Sequence, residues 1–128
     1  MAKQVVSTEK APKPVGPYSQ AIRAGNFLFL SGQIAINPAT GNIDGNDVKS
    51  QTRRILENAQ AILKSVGRSL DDVVKATVYL TNPEHFKEMN EVYRDYFRNG
   101  PPARTTVVAQ LPLTEALVEI DFIAYLGD

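Results

Sequence analysis

The strands written into this chain are apolar on both faces, and the sequence supplies only two helices to cover them. Successive side chains of a strand point to opposite faces. Phe27 and Phe29 therefore oppose Leu28 and Leu30, while Leu117 and Ile123 oppose Val118, Ile120 and Phe122. Two helices bury one side of such a sheet, and the second apolar side needs another cover. Self-association supplies it most simply, because a monomer leaves many large side chains in water.

The helices are read from periodicity. From Asp47 to Val66 the apolar set Val48, Ile55, Leu56, Ala59, Ile62, Leu63 and Val66 recurs at three- and four-residue spacing, and Gly67 is placed to end the run. Asn82-Pro83-Glu84 offers an N-cap, a first-turn proline and a first-turn acid. That predicts a second helix reaching about Phe97, with Phe86, Met89, Tyr93 and Phe97 inward. Between the helices, Val73 to Leu80 is β-branched and aromatic, hence a strand.

A short β-rich start (Gln4 to Ser7) leads into a stiff arm, Ala11 to Tyr18, whose prolines fix φ and remove backbone donors. Ser19 to Ala24 and Phe27 to Ile34 read as a hairpin around Gly25-Asn26, and Asn37 to Asn42 as loop. Two more strands are expected near Arg104 to Gln110 and Ala116 to Tyr125. The order is ββαβαββ, an α+β mixed sheet with too few helices to cover two faces.

With 128 residues the chain is most simply one domain, 1–128. Its 14 basic and 14 acidic residues cancel, so no long-range field favours nucleic acid or an anionic membrane. Arg53 and Arg54, followed by Glu57, read as a solvated helix face. Cysteine is absent, which excludes disulfides, thiolate nucleophiles and thiolate metal sites. The start lacks the apolar run of a secretory signal, and nowhere do eighteen apolar residues follow one another, so a soluble cytoplasmic protein is expected. No Gly-rich phosphate loop, zinc-binding His pair or nucleophile with a His neighbour is present. The single histidine, His85, falls in a helical first turn, where a charged imidazolium opposes the dipole.

Gly100-Pro101-Pro102-Ala103-Arg104-Thr105-Thr106 delivers one arginine to the start of a strand on two stiff prolines. The guanidinium fork is the side chain best shaped to grip a carboxylate. A small acidic ligand follows as the expectation, with an ordinary surface ion pair as the alternative. In the last strand Glu119 and Asp121 share one face, so an acid or base group stands available to the same site.

Gly16-Pro17-Tyr18-Ser19-Gln20, Ser31-Gly32-Gln33-Ile34, Asn90-Glu91-Val92-Tyr93, Pro102-Ala103-Arg104 and Val118-Glu119-Ile120-Asp121 stand in the order and spacing of one family. The chain resembles the RidA/YjgF enamine/imine deaminases over essentially its whole length. The resemblance implies a chorismate-mutase-like subunit, assembled as a homotrimer with sites between subunits. It implies hydrolysis of short 2-imino acids, such as 2-iminobutanoate and 2-iminopropanoate, to 2-keto acids and ammonia, without metal or cofactor.

Residue by residue, the resemblance puts Arg104 on the substrate carboxylate and Tyr18 as a phenol lining the pocket. Gly32 stands where a backbone N–H faces the ligand, beside Ser31, and Asn90 at a pocket position. Thr106 stands where many relatives carry cysteine and a backbone N–H serves the carboxylate. Asp121 falls on the position of the glutamate held to position or activate the attacking water. That Asp is a departure, shortening the reach by about 1.3 Å. Glu119 shares its face but lies about 6.6 Å along the strand, so the assignment goes to Asp121. A non-catalytic small-carboxylate binder, and a ribonuclease or translation inhibitor, are the alternative readings.

Overall fold

The computed structural model describes residues 2–127. Six strands form one sheet: β1 (Gln4–Val6), β2 (Ala21–Ala24), β3 (Phe27–Gln33), β4 (Val73–Leu80), β5 (Ala103–Val108) and β6 (Val118–Tyr125). Their spatial order is β1-β2-β3-β6-β4-β5, with β4 and β5 parallel and every other pair antiparallel. Two helices, α1 (Val48–Ser65) and α2 (Phe86–Tyr96), cross over between strands and lie on one face. The short start joins the sheet at its edge, with Val6 opposite Ala21. The order is therefore one strand longer than ββαβαββ.

Local chemistry sets the element ends. Asp47 caps α1 by accepting from the Ser50 amide at 2.9 Å. At the other end Gly67 takes φ +74°, and the amides of Gly67 and Arg68 donate back to Lys64 and Leu63. This is the left-handed stop that glycine makes at little cost. Asn82 caps a 3₁₀ turn, Pro83–His85, which then hands over to α2. Phe86, the first residue of α2, is 46% exposed, against the expectation that it faces inward, while Met89, Tyr93 and Phe97 are buried as their spacing predicts.

Val118, Ile120, Phe122 and Ala124 of β6, with Leu28 and Leu30 of β3, face the helices and pack among Ile55, Leu56, Ile62 and Leu63. Burying each large side chain stabilises the fold by about 1.5–3 kcal/mol. The alternate residues form the opposite face, which no element of the described chain covers. There Phe27, Phe29, Tyr125 and Val107 are each about two-fifths exposed, and the Phe27 and Tyr125 rings meet tilted by 54°, with centroids 5.4 Å apart. Among the described residues, no helix is long and apolar enough to cross a membrane.

Candidate functional site

Two clefts carry most of the residues singled out from the sequence, and they share no lining residue. The first, of about 460 Å³, lies between the proline arm and β3, with Tyr18, Lys13, Ser31, Gly32 and Glu119 on its walls. Gln20 builds it. Its buried side chain donates to the carbonyls of Thr8, Ala11 and Pro12 and accepts from the Thr8 amide at 2.7 Å. An arm rich in prolines has few amide donors of its own, so one glutamine pins it to the sheet. Ser31 adds a clamp, its hydroxyl donating to the Ser19 carbonyl at 2.6 Å. The Tyr18 hydroxyl accepts from the Val15 amide, and its ring is about half exposed at the rim.

Glu119, not Asp121, is the carboxyl that enters this cleft. The β3–β6 ladder is irregular between Leu30 and Gln33, and there Gly32 faces Glu119. A Cβ at position 32 would stand 3.0 Å from Glu119 Cδ and closer still to Oε2. Glycine at 32 is thus what lets the carboxyl lie against the β3 backbone. Asp121 lines neither cleft and accepts a hydrogen bond from the Tyr79 hydroxyl at 3.1 Å. The sequence reading put the water-activating carboxyl at Asp121; in the structure it is Glu119 that lines the cleft, and Asp121 stands one alternate position along β6 outside both. Burial pushes the Glu119 carboxyl above its ordinary value, and the charge of Asp121 pushes it the same way.

The second cleft, of about 340 Å³, lies between α2 and the entry to β5, with Asn90, Tyr93, Pro101, Pro102 and Arg104 on its walls. The prolines bring the chain in extended, and the side chain of Arg104 then lies over α2. Its Cζ is 4.8 Å from the Tyr93 ring centroid and 5.8 Å from that of Phe86, and Nη1 is 4.0 Å from Met89 Sδ. Two aromatic faces hold the guanidinium by cation–π attraction. Among the described residues no carboxylate pairs with it. Beside it Asn90 Oδ1 and the Tyr93 hydroxyl are buried without a partner. Burial pushes the Tyr93 phenol up to about 12, so it remains a donor. Thr106 lines neither cleft, but β5 is the outermost strand and pairs only with β4, leaving backbone groups on its open side.

Tyr93 and Phe86 escaped the sequence reading as parts of the arginine cradle. Their signal was present, since Asn90 and Tyr93 stand three apart on α2 and so share a helix face.

The two clefts cannot serve one small ligand within a single chain. Arg104 points to the helix side of the sheet, whereas Glu119 alternates with Val118 and Ile120 and points to the other side. From β5 to β3 there are also three strand spacings, about 14 Å.

Comparison with known proteins gives consistent matches. The family model described as "Endoribonuclease L-PSP" matches residues 8–126. A RutC family protein of Pyrococcus abyssi is 56% identical over 126 residues, covering 98% of each chain. The chloroplastic Reactive Intermediate Deaminase A of Arabidopsis thaliana is 49% identical over 125 residues, which are 97% of this chain and 66% of that protein. Among solved structures, Escherichia coli TdcF with bound serine superposes with a TM-score of 0.89 at 38% identity, covering 95% of this chain and 98% of the other.

Proposed function

The chain belongs to the RidA/YjgF family, the family of the endoribonuclease L-PSP model, and on that premise we propose that it is a deaminase hydrolysing short 2-imino acids, such as 2-iminobutanoate and 2-iminopropanoate, to 2-keto acids and ammonia. The observation that carries the reading is Arg104: a guanidinium held between two rings, beside buried polar atoms without partners, with no carboxylate of its own among the described residues. Such a group waits for an acid from outside. The arginine fork gives two charge-assisted bonds, each contributing on the order of 1.5–3 kcal/mol before desolvation costs.

The reaction asks little of the protein, because an iminium carbon is already a good electrophile. Glu119 takes a proton from a water as the water oxygen bonds to C2 and the C=N π pair moves to nitrogen. The same carboxyl passes that proton to the nitrogen, ammonia leaves as the C–N bond breaks, and the remaining hydroxyl proton goes to Glu119, which hands it to the ammonia to form ammonium and is a carboxylate again. General acid–base help of this kind contributes about 10²- to 10⁴-fold. Tyr18 and the Gly32 backbone border the place where the imine stands, and Asn90 and the open edge of β5 near Thr106 border the carboxylate.

Because Arg104 and Glu119 lie on opposite sides of the sheet, the complete site needs the Arg104 cleft of one copy against the Glu119 cleft of another. A homotrimer, closed head to tail, gives three equivalent sites and covers the exposed face of Phe27, Phe29 and Tyr125. The serine bound to the Escherichia coli relative TdcF also favours a second reading, a small-carboxylate binder without turnover. Endoribonuclease activity has less behind it: the charge is balanced, and His85 lines neither cleft.

The test follows the ultraviolet decay of 2-iminobutanoate, generated by a threonine dehydratase, with this protein, with Arg104→Ala, or with neither. Faster decay that is lost in Arg104→Ala is expected. Decay at the uncatalysed rate in both, with 2-ketobutyrate still bound, establishes the binder instead.

A further inference from the structure

Asp121 takes no part in the chemistry above, yet it is held in place. Tyr79 stands directly opposite Glu119 in the β4–β6 ladder, and Asp121 stands opposite Thr77. The Tyr79 side chain crosses that ladder on the diagonal, and its hydroxyl donates to Asp121 Oδ2 at 3.1 Å. Glu119 and Asp121 are two residues apart on one strand and half-buried on the face that carries no helix. Their Cα atoms are therefore about 7 Å apart, and their side chains run side by side.

The other groups facing Glu119 are few. From β3 come Ser31 and Gly32, which carry no charge, and from the arm come Tyr18 and Lys13 on the cleft wall. Lys13 makes no ion pair among the described residues. From β4 comes Tyr79, whose phenol the neighbouring carboxylate keeps protonated, and along β6 comes Asp121. The fixed negative charge beside Glu119 is thus Asp121, and a tyrosine anchors it.

We propose that Tyr79 and Asp121 are positioning residues for Glu119: Tyr79 holds the Asp121 carboxylate in place by its hydrogen bond, and the Asp121 charge makes Glu119 a stronger base toward the attacking water. The inference rests on the reading of Glu119 as the proton carrier of the imine hydrolysis. A carboxylate gains basicity when its proton is retained more tightly, and a base works best with a pKa near the operating pH. A negative charge at this separation makes a neighbouring carboxylate hold its proton more tightly. The direction agrees with the raised Glu119 carboxyl, for which Asp121 is the second cause after burial.

The experiment uses the full chain and the variants Asp121→Asn, Asp121→Glu and Tyr79→Phe. It reads the pH dependence of kcat/KM for 2-iminobutanoate and, independently of turnover, the Glu119 midpoint by carboxyl ¹³C NMR titration. Activity is lost on the acid side as Glu119 is protonated. In Asp121→Asn that limb and the NMR midpoint are expected to move together to lower pH. Asp121→Glu keeps both near the parent values, and Tyr79→Phe moves them part of the way. An unmoved midpoint in Asp121→Asn overturns the proposal, even if the variant melts lower, because a purely structural role changes stability without moving a titration. Should Asp121→Asn not fold, Tyr79→Phe decides, and an unmoved midpoint there overturns the proposal equally. Absence of turnover in the parent protein, with the NMR shift present, refutes the deaminase reading while leaving the electrostatic pairing intact.

Discussion

Gly32 and Glu119 are a matched pair, and each explains the other. A methyl group at position 32 would overlap the carboxyl, so Gly32→Ala is expected to push Glu119 out of line while the strand itself persists. A misplacement near 1 Å costs about 100-fold in rate. Turnover of 2-iminobutanoate should drop by about that factor with the circular dichroism spectrum unchanged, and a variant of full activity would remove Glu119 from the chemistry. The same carboxyl carries a stability cost. Its folded pKa lies above the ordinary 4.5, so the folded chain binds this proton more tightly than the unfolded chain does. Its contribution to stability therefore falls as pH rises from 4.5 through the raised value, and stays low above it. Glu119→Gln has no such penalty. Thermal melts should show the variant more stable than the parent at about pH 7, equal to it at about pH 4, and without turnover.

At the scale of elements, caps and turns decide where helices start and stop. Asp47 holds the first turn of α1 through Ser50, and the two hydrogen bonds hold its carboxyl below the usual range. Asp47→Ala is expected to cost about 1 kcal/mol, read as a fall of a few degrees in melting temperature with activity retained. Helix α1 and strand β4 were legible in the sequence almost to the residue, because their periods of 3.6 and 2 run uninterrupted between clear stop signals. Phe86 departs from its expected inward position for a local reason. As the first residue of α2 it shares the face of Met89 and Tyr93 but stands at that face's open end, where its ring lies against Arg104. The first strand was legible only as a β-rich start, since three residues gain their ladder from β2 and not from any pattern of their own.

The whole molecule presents two half-sites on opposite sides of one sheet and an uncovered apolar face, and one arrangement of copies resolves both. The proposed homotrimer should scatter light with three times the mass of the chain. A sharper test mixes two inactive chains, Arg104→Ala and Glu119→Gln, after co-refolding. If every site draws Arg104 from one copy and Glu119 from another, random assembly restores about a quarter of the parent activity. If both residues act within one chain, the mixture stays dead. The sequence by itself determined the α+β architecture, the apolar second face, the arginine on its proline lead and the family, because these rest on local period, composition and motif spacing. It could not tell which member of the i, i+2 pair Glu119 and Asp121 lines the cleft, because both point the same way and only the neighbouring strand distinguishes them. That distinction came from the irregularity in the β3–β6 ladder, which turns Gly32 toward Glu119 and leaves Asp121 to Tyr79. Only the tertiary structure decided it, because strand register is fixed by packing between segments some ninety residues apart, a range over which local pattern carries no information.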